Sequence, residues 1–198
     1  KVVETNKSIE YLRFEIYGYV EFFNVGDVIE SLSSMITKNN TLKRLDIWGD
    51  HTNFFIDHPK IVKLFEALGS NSSIEYLQLI CFQTSNNQNS EKQFNKCLEK
   101  LLQNNTSLKT LNLCHNNIKP DAMKCLRTVL QKNTTLEKII LSINGIGDEG
   151  LEYIKEGLKK NTTLKKLDLT YNSGSTKNNI EKFIKEIKES NTTLRLKI

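Results

Sequence analysis

The four-residue phrase N-x-[ST]-[LI] begins at Asn6, Asn39, Asn71, Asn105, Asn133, Asn161 and Asn191, with steps of 28 to 34 residues. Self-similarity at such a period means that one short unit is built repeatedly, and this limits what the chain can fold into more than any other feature. A second pattern, L-x-x-L-x-L-x-x-N, follows each phrase, clearest at LKTLNLCHN (108–116), LEKIILSIN (136–144) and LKKLDLTYN (164–172). The earlier copies, IEYLRFEIY (9–17), LKRLDIWGD (42–50) and IEYLQLICF (74–82), keep the apolar positions and lose the last asparagine. Apolar residues alternating with polar ones predict short strands near 11–15, 44–48, 76–80, 110–114, 138–142, 166–170 and 195–198.

The rest of each unit reads as helix. In IGDEGLEYIKEGLKKN (146–161), Ile154 and Leu158 lie four apart, with Gly150 one turn earlier; in IKPDAMKCLRTVLQKN (118–133), Leu126, Leu130 and Ala122 share a stripe. One strand–helix unit cannot cover its own apolar face, so a core exists only when units stack. The repeat resembles the leucine-rich repeat family, of the ribonuclease-inhibitor-like subtype with long repeats. That resemblance covers nearly the whole chain and implies an α/β solenoid, a right-handed arc with parallel strands on the concave face and helices on the convex face. It makes residues 1–198 a single leucine-rich repeat domain of six strand–helix units and a partial seventh. Asn116, Asn144 and Asn172 match the family's asparagine ladder, whose amides satisfy backbone groups of successive turns. Tyr17, Asp50 and Phe82 depart from it, so the first half should be less regular. KVVET (1–5) resembles the tail of a preceding helix and TLRLKI (193–198) stops within a strand, so the sequence reads as a fragment of a longer chain.

Composition narrows function mainly by exclusion. The 198 residues carry 38% hydrophobic and 26% charged side chains, and no apolar run approaches the roughly 18–20 residues of a membrane span. Net charge is +5, but bases and acids are interleaved, as in IEKFIKEIKES (180–190), which suits a solvated helix face better than a nucleic-acid footprint. The four cysteines, at 81, 97, 114 and 125, form no C-x-x-C pair and sit inside periodic segments, which suits packing thiols in a reducing compartment. DHTNFFIDH (50–58) holds two Asp–His pairs, with His51 and His58, but the spacing matches no common zinc pattern, so no metal is expected. Nucleophile-elbow, Walker, zincin and dinucleotide motifs are all missing, so neither catalytic residues nor a cofactor is expected. The glycines of GIGDEG (145–150) suit turn geometry and close packing better than phosphate binding. The N-x-[ST] phrases are formally glycosylation sequons, yet their fixed place in the repeat suits a structural role, in which the asparagine ends the helix and the hydroxyl bonds turn backbone.

Three classes of function remain. The first is a non-catalytic module that grips a protein partner on its concave face, without nucleic acid, membrane or small-molecule substrate. The second is a regulator of actin or of a small GTPase, because NTTLKKLDL…IEKFIKEIKESNTTL (161–194) is similar to tropomodulins and INGIGDEGLEYI (143–154) to repeats of Ran GTPase-activating proteins and NOD-like receptors. The third is the targeting domain of a bacterial effector or a ubiquitin ligase. The location implied is the cytoplasm, or the host cytosol for an effector.

Within the first class, strand alternation selects the face. If Leu45 and Ile47 point inward, Arg44, Asp46 and Trp48 point outward. The same register adds Tyr11, Arg13 and Glu15 from the first unit and Tyr76, Gln78 and Ile80 from the third. Trp48 is the only tryptophan, standing where later units have Cys114, Ser142 and Thr170. Tyr, Trp and Arg are enriched among interface hot spots, so the expected anchors are Trp48, Tyr76 and Tyr11, with Arg44 and Arg13 as polar contacts. Later units offer a blander surface. The early units are longer, through insertions at 17–27, 50–60 and 82–93 that land on one rim, and this rim is expected to border the partner site, with Phe22, Phe23, Phe54 and Phe55 in it.

Overall fold

The computed structural model describes residues 8–15, 24–49, 58–82 and 88–198. The expectations for Asn6, Tyr17, Asp50, His51 and the loop phenylalanines Phe22, Phe23, Phe54 and Phe55 lie outside the described residues. Among those described, strands and helices alternate along the chain: β1 (Tyr11–Glu15), α1 (Val25–Lys38), β2 (Arg44–Trp48), α2 (Ile61–Ser70), β3 (Tyr76–Ile80), α3 (Gln88–Asn104), β4 (Thr110–Asn112), α4 (Pro120–Lys132), β5 (Lys138–Ile140), α5 (Gly147–Leu158), β6 (Lys166–Asp168), α6 (Lys177–Ser190) and β7 (Arg195–Lys197). All seven strands form one parallel sheet in chain order. Parallel neighbours need a crossover, and each helix supplies it. Strands lie about 4.8 Å apart while packed helices need about 8–10 Å, so stacking one unit type makes the strand face concave.

The core lies between the strand layer and the helix layer. Leu45, Ile47, Leu79, Leu111, Ile139 and Leu141 are wholly buried from the strand side. Ile29, Ile36, Leu64, Met123 and Ile154 meet them from the helices. Helix α5 starts where Gly147 takes a left-handed backbone (φ +65°), and a Cβ on Gly150 would lie 3.1 Å from Met123 Cγ of α4. Turn geometry and close packing therefore account for both glycines.

Two asparagine ladders bind the units together. In the first, Asn144 Oδ1 accepts from Asn116 N (3.0 Å) and Ile118 N (2.9 Å), while its Nδ2 donates to Leu113 O and Leu141 O (both 3.0 Å). Asn116 and Asn172 behave alike, donating to Leu79 O (2.7 Å) and Leu141 O (2.9 Å) of the preceding unit. Strands β4, β5 and β6 end at their third residue, two short of the expected span, and just beyond them Cys114 O, Leu141 O, Ser142 O and Leu169 O accept from the ladder amides. Strand β3 has Phe82 in place of the asparagine and runs its full five residues. Phe82 fills the core (2% exposed), and its N–H donates to Asn116 Oδ1 (2.8 Å).

The second ladder comes from the N-x-[ST]-[LI] phrase. Asn105 Oδ1 accepts from Ser107 N (3.0 Å) and Leu108 N (2.7 Å), and its Nδ2 donates to Leu68 O (2.8 Å) and Asn71 O (2.9 Å) of the unit before. Asn71 and Asn161 repeat both halves of this pattern. Sequence assigns the helix end to the asparagine and the turn backbone to the hydroxyl; the turn N–H groups go to the asparagine oxygen instead, and both its nitrogen and the Ser107 hydroxyl bond the unit before. In the folded chain the amide nitrogens of Asn71, Asn105 and Asn161 are buried and engaged.

Removing such an amide strands several buried backbone groups, each worth about 1–3 kcal/mol. Asn105→Ala is therefore expected to destabilise the fold by about 3 kcal/mol or more, and Asn105→Asp by less, since a carboxylate keeps the acceptor. Denaturant titration checks this, and a loss below about 1 kcal/mol for the alanine variant would contradict it.

Candidate partner-binding face

Pairing between adjacent strands turns the outward residues into columns. One runs Tyr11, Arg44, Tyr76, Thr110, Lys138, Lys166, Arg195; the next runs Arg13, Asp46, Gln78, Asn112, Ile140, Asp168, Lys197. A third begins Glu15, Trp48, Ile80. All nine residues expected to share a patch are thus neighbours in register.

Their contacts form one stacked cluster. The Arg44 guanidinium lies between two rings, 5.0 Å from the Tyr11 centroid and 4.0 Å from that of Tyr76. It also pairs with Asp46 Oδ2 at 2.9 Å, which strengthens its hold on its proton. Tyr11 donates its hydroxyl to the same carboxylate (3.0 Å). Tyr76 donates to Gln78 Oε1 (3.2 Å), which Asn112 Nδ2 also reaches at 2.7 Å. Arg13 sits 4.3 Å over the Trp48 ring and pairs with Glu15. Both arginines therefore have a carboxylate, and the cluster is close to neutral.

Within the patch, access is uneven. Tyr11 is 50% exposed, and Trp48, Tyr76 and Ile80 are half-buried. Asp46 and Gln78 point to the strand face as expected, but lie beneath the rings at 2% and 7% exposure. The Asp46 carboxylate is taken by Tyr11 and Arg44, and Gln78 Oε1 by Tyr76 and Asn112, so both hold the cluster in shape instead of presenting themselves. Trp48 Nε1 is buried and has no hydrogen-bond partner among the described residues. Segments 16–23 and 50–57, which continue from β1 and β2, lie outside the described residues, as does most of the rim expected to border the site.

Other features are not legible in the sequence. Cys81 Sγ lies 3.4 Å from His115 Nδ1, a pairing that strand stacking makes across 34 residues. The later units also present Ile143 and Tyr171, 45% and 84% exposed, at the turn before the ladder asparagine. They lie past the outward strand positions, from Thr110 to Thr170, on which a blander surface is expected. His58 Nδ1 accepts from Lys60 N (3.2 Å) and its ring packs against Gly26, so it shapes a turn. Among the described residues no three His, Cys, Asp or Glu side chains gather as metal ligands, and no helix is long and apolar enough to cross a membrane.

The leucine-rich repeat profile matches residues 104–126, 132–155 and 160–173. No curated protein matches in sequence. Among solved structures, the tropomodulin C-terminal domain from Caenorhabditis elegans superposes with a TM-score of 0.60 at 15% identity, covering 82% of this chain and 92% of that one. The leiomodin-1 fragment named actin-binding site 2 gives 0.57 at 17% identity, covering 82% and 90%. At such identities the likeness is one of fold.

The buried carboxylate is the keystone of the cluster. Asp46→Ala should cost about 1 kcal/mol of stability by removing the buried acceptor that Arg44 and the Tyr11 hydroxyl share, since both donors can turn to water, as read by denaturant titration. Thiol reactivity should also be graded. Burial pushes the Cys97 and Cys125 thiols upward, and Cys97 is only 4% exposed. A raised value leaves less thiolate at a given pH, so Cys97 should alkylate most slowly in the folded protein at pH 8, with site-resolved mass spectrometry as the check.

Proposed function

We propose that this chain, which carries the leucine-rich repeat over three segments between residues 104 and 173 and shares its solenoid fold with the tropomodulin and leiomodin-1 structures, is a non-catalytic binding module holding a protein partner on its concave strand face, with the first three strands as the principal site. The observation carrying this reading is the cluster in which Arg44 stacks between Tyr11 and Tyr76 and Arg13 over Trp48. Aromatic rings pre-ordered by stacking lose little freedom on binding, and each arginine is already desolvated on one side. The anchors are Trp48, Tyr76 and Tyr11, with Arg44, Arg13 and the half-buried Ile80 around them. Asp46 and Gln78 act from below. The binding unit is the whole of residues 1–198, with no cofactor or small-molecule substrate, and the proposed setting is the cytoplasm.

Actin is the first partner to test, because the leiomodin-1 fragment that shares the fold is named for actin binding. The test pairs actin co-sedimentation with affinity capture from cell extract, comparing wild type with Trp48→Ala plus Tyr76→Ala. The double variant should keep its circular dichroism and lose a partner that the wild type retains, an affinity drop of about 30-fold if one ring contributes a typical hot-spot share of about 2 kcal/mol, rising toward about a thousandfold if both do and the shares add. A folded double variant that keeps every partner would place the site elsewhere.

A further inference from the structure

The two halves of the strand face differ in how their charge is met. In the first three strands, Arg13 and Arg44 are neutralised by Glu15 and Asp46. In the last three, the first column presents Lys138, Lys166 and Arg195 on adjacent strands, directly in register. Lys166 and Arg195 are exposed and Lys138 half-buried. None of the three takes part in an ion pair among the described residues.

The nearby acids are already committed. Glu137 pairs with Lys165 (2.9 Å), and Glu75 with Lys109 (2.8 Å) and Lys43 (3.5 Å). Asp168, in the second column, pairs with Lys197 (3.3 Å) and accepts from the Thr170 hydroxyl (2.7 Å) and N–H (3.0 Å). Burial alone would raise Asp168, but these bonds outweigh it and hold the carboxyl below its usual range. The row of three cations is therefore unopposed from its own sheet and from the rim beside it.

We propose that this row binds an acidic helical segment of a protein, lying across β5, β6 and β7 with carboxylates at i, i+3 or i+4, and i+7. The pitch selects the helix. Adjacent strands set the cations about 4.8 and 9.6 Å from the first. A helix rises about 1.5 Å per residue, so its carboxylates fall at about 4.5–6 Å and 10.5 Å. An extended segment places same-face side chains about 6.7 Å apart and falls out of step by the third. Half-buried Ile140, in the neighbouring column between Asn112 and Asp168, gives the helix an apolar contact beside the charges. A nucleic acid fits less well: the stacking rings lie in the other half of the face, among Glu15 and Asp46. The surface is separate from the aromatic cluster and does not depend on it.

The experiment uses the full chain and a fluorescent, hydrocarbon-stapled alanine-based helix with glutamates at i, i+3 and i+7. A second stapled helix carries the same glutamates spread around its circumference at i, i+5 and i+10. Anisotropy should show binding of the first that weakens at least tenfold with Lys166→Glu, disappears with Lys138→Glu, Lys166→Glu and Arg195→Glu combined, and falls steeply with added salt. The spread helix should bind at least tenfold more weakly. A lysine-bearing version of the first helix should bind the triple variant, which shows that the variant is folded and competent. Trp48→Ala with Tyr76→Ala should leave the affinity unchanged, so failure here and failure of the aromatic site are distinguishable. The proposal is overturned by equal binding of both helices, by a triple variant that binds like wild type, or by single-stranded RNA displacing the helix at lower concentration than the helix's own unlabelled form.

Discussion

An asparagine amide that reaches from one turn of the solenoid to the next does two jobs with one planar group. Its oxygen takes the N–H groups at the start of its own strand, and its nitrogen gives protons to the carbonyls where the preceding helix ends. Asn105 does this toward Ser107 and Leu108 on one side and toward Leu68 and Asn71 on the other, at 2.7–3.0 Å. Helix ends leave orphan carbonyls, and buried ones have no water to turn to. The amide thus supplies the helix end and the stacking contact together. Units of 28 and of 34 residues can follow one another because strand register is fixed at these two points, while insertions enter between strand and helix. Leu45 and Ile47 reach 0% exposure beside units of different length for that reason.

The fold is legible because two independent periods agree: the spacing of the asparagine phrase and the alternation of apolar residues after it. Alternation also yields the columns, since a period of two leaves only one set of residues for the outer face once Leu45 and Ile47 are inside. What sequence could not supply is the choice each outward side chain makes among its neighbours. Asp46 is polar and outward-pointing, yet Tyr11 and Arg44 close over it, from positions 35 residues away and two residues away. Gln78 is captured by Tyr76 and Asn112 in the same manner. The Cys81–His115 contact and the donor half of the asparagine phrase are hidden likewise, because each needs the adjacent unit in place.

Charge along the rim follows a rule of its own. The residue before each outward column is Glu10, Lys43, Glu75, Lys109, Glu137 and Lys165 in turn, linked by backbone bonds from each to the next. Signs alternate without a break. Glu75 sits between two lysines, and its hydrogen bond to Lys109 holds its carboxyl below the ordinary range while raising the lysine. Exposed pairs of this kind add little stability. Their effect is on the field: a neutral rim leaves the long-range potential of the strand face to the residues on it, among them the unopposed cations of the last strands that the proposed acidic helix would meet.

Strain is repeated at one place in the unit. Cys81, His115, Ile143 and Tyr171 each precede the ladder position and each has a left-handed backbone, with φ between 55° and 58°. Such a conformation costs a residue with a Cβ roughly 1–2 kcal/mol, and a β-branched one is the least suited to it. The ladder tolerates this because the flanking bonds leave no other path: Ile143 N donates to Thr170 O (2.9 Å) while Asn144, the next residue, is tied on both sides. Glycine or asparagine at these four sites would relieve the strain without disturbing those bonds. Stability therefore does not account for the isoleucine or the tyrosine, whose side chains are left 45% and 84% exposed. What the left-handed turn achieves is to lift a side chain clear of the core after β3, β4, β5 and β6, so that the stacking of these units sets out a row of four side chains along the rim of the proposed binding face.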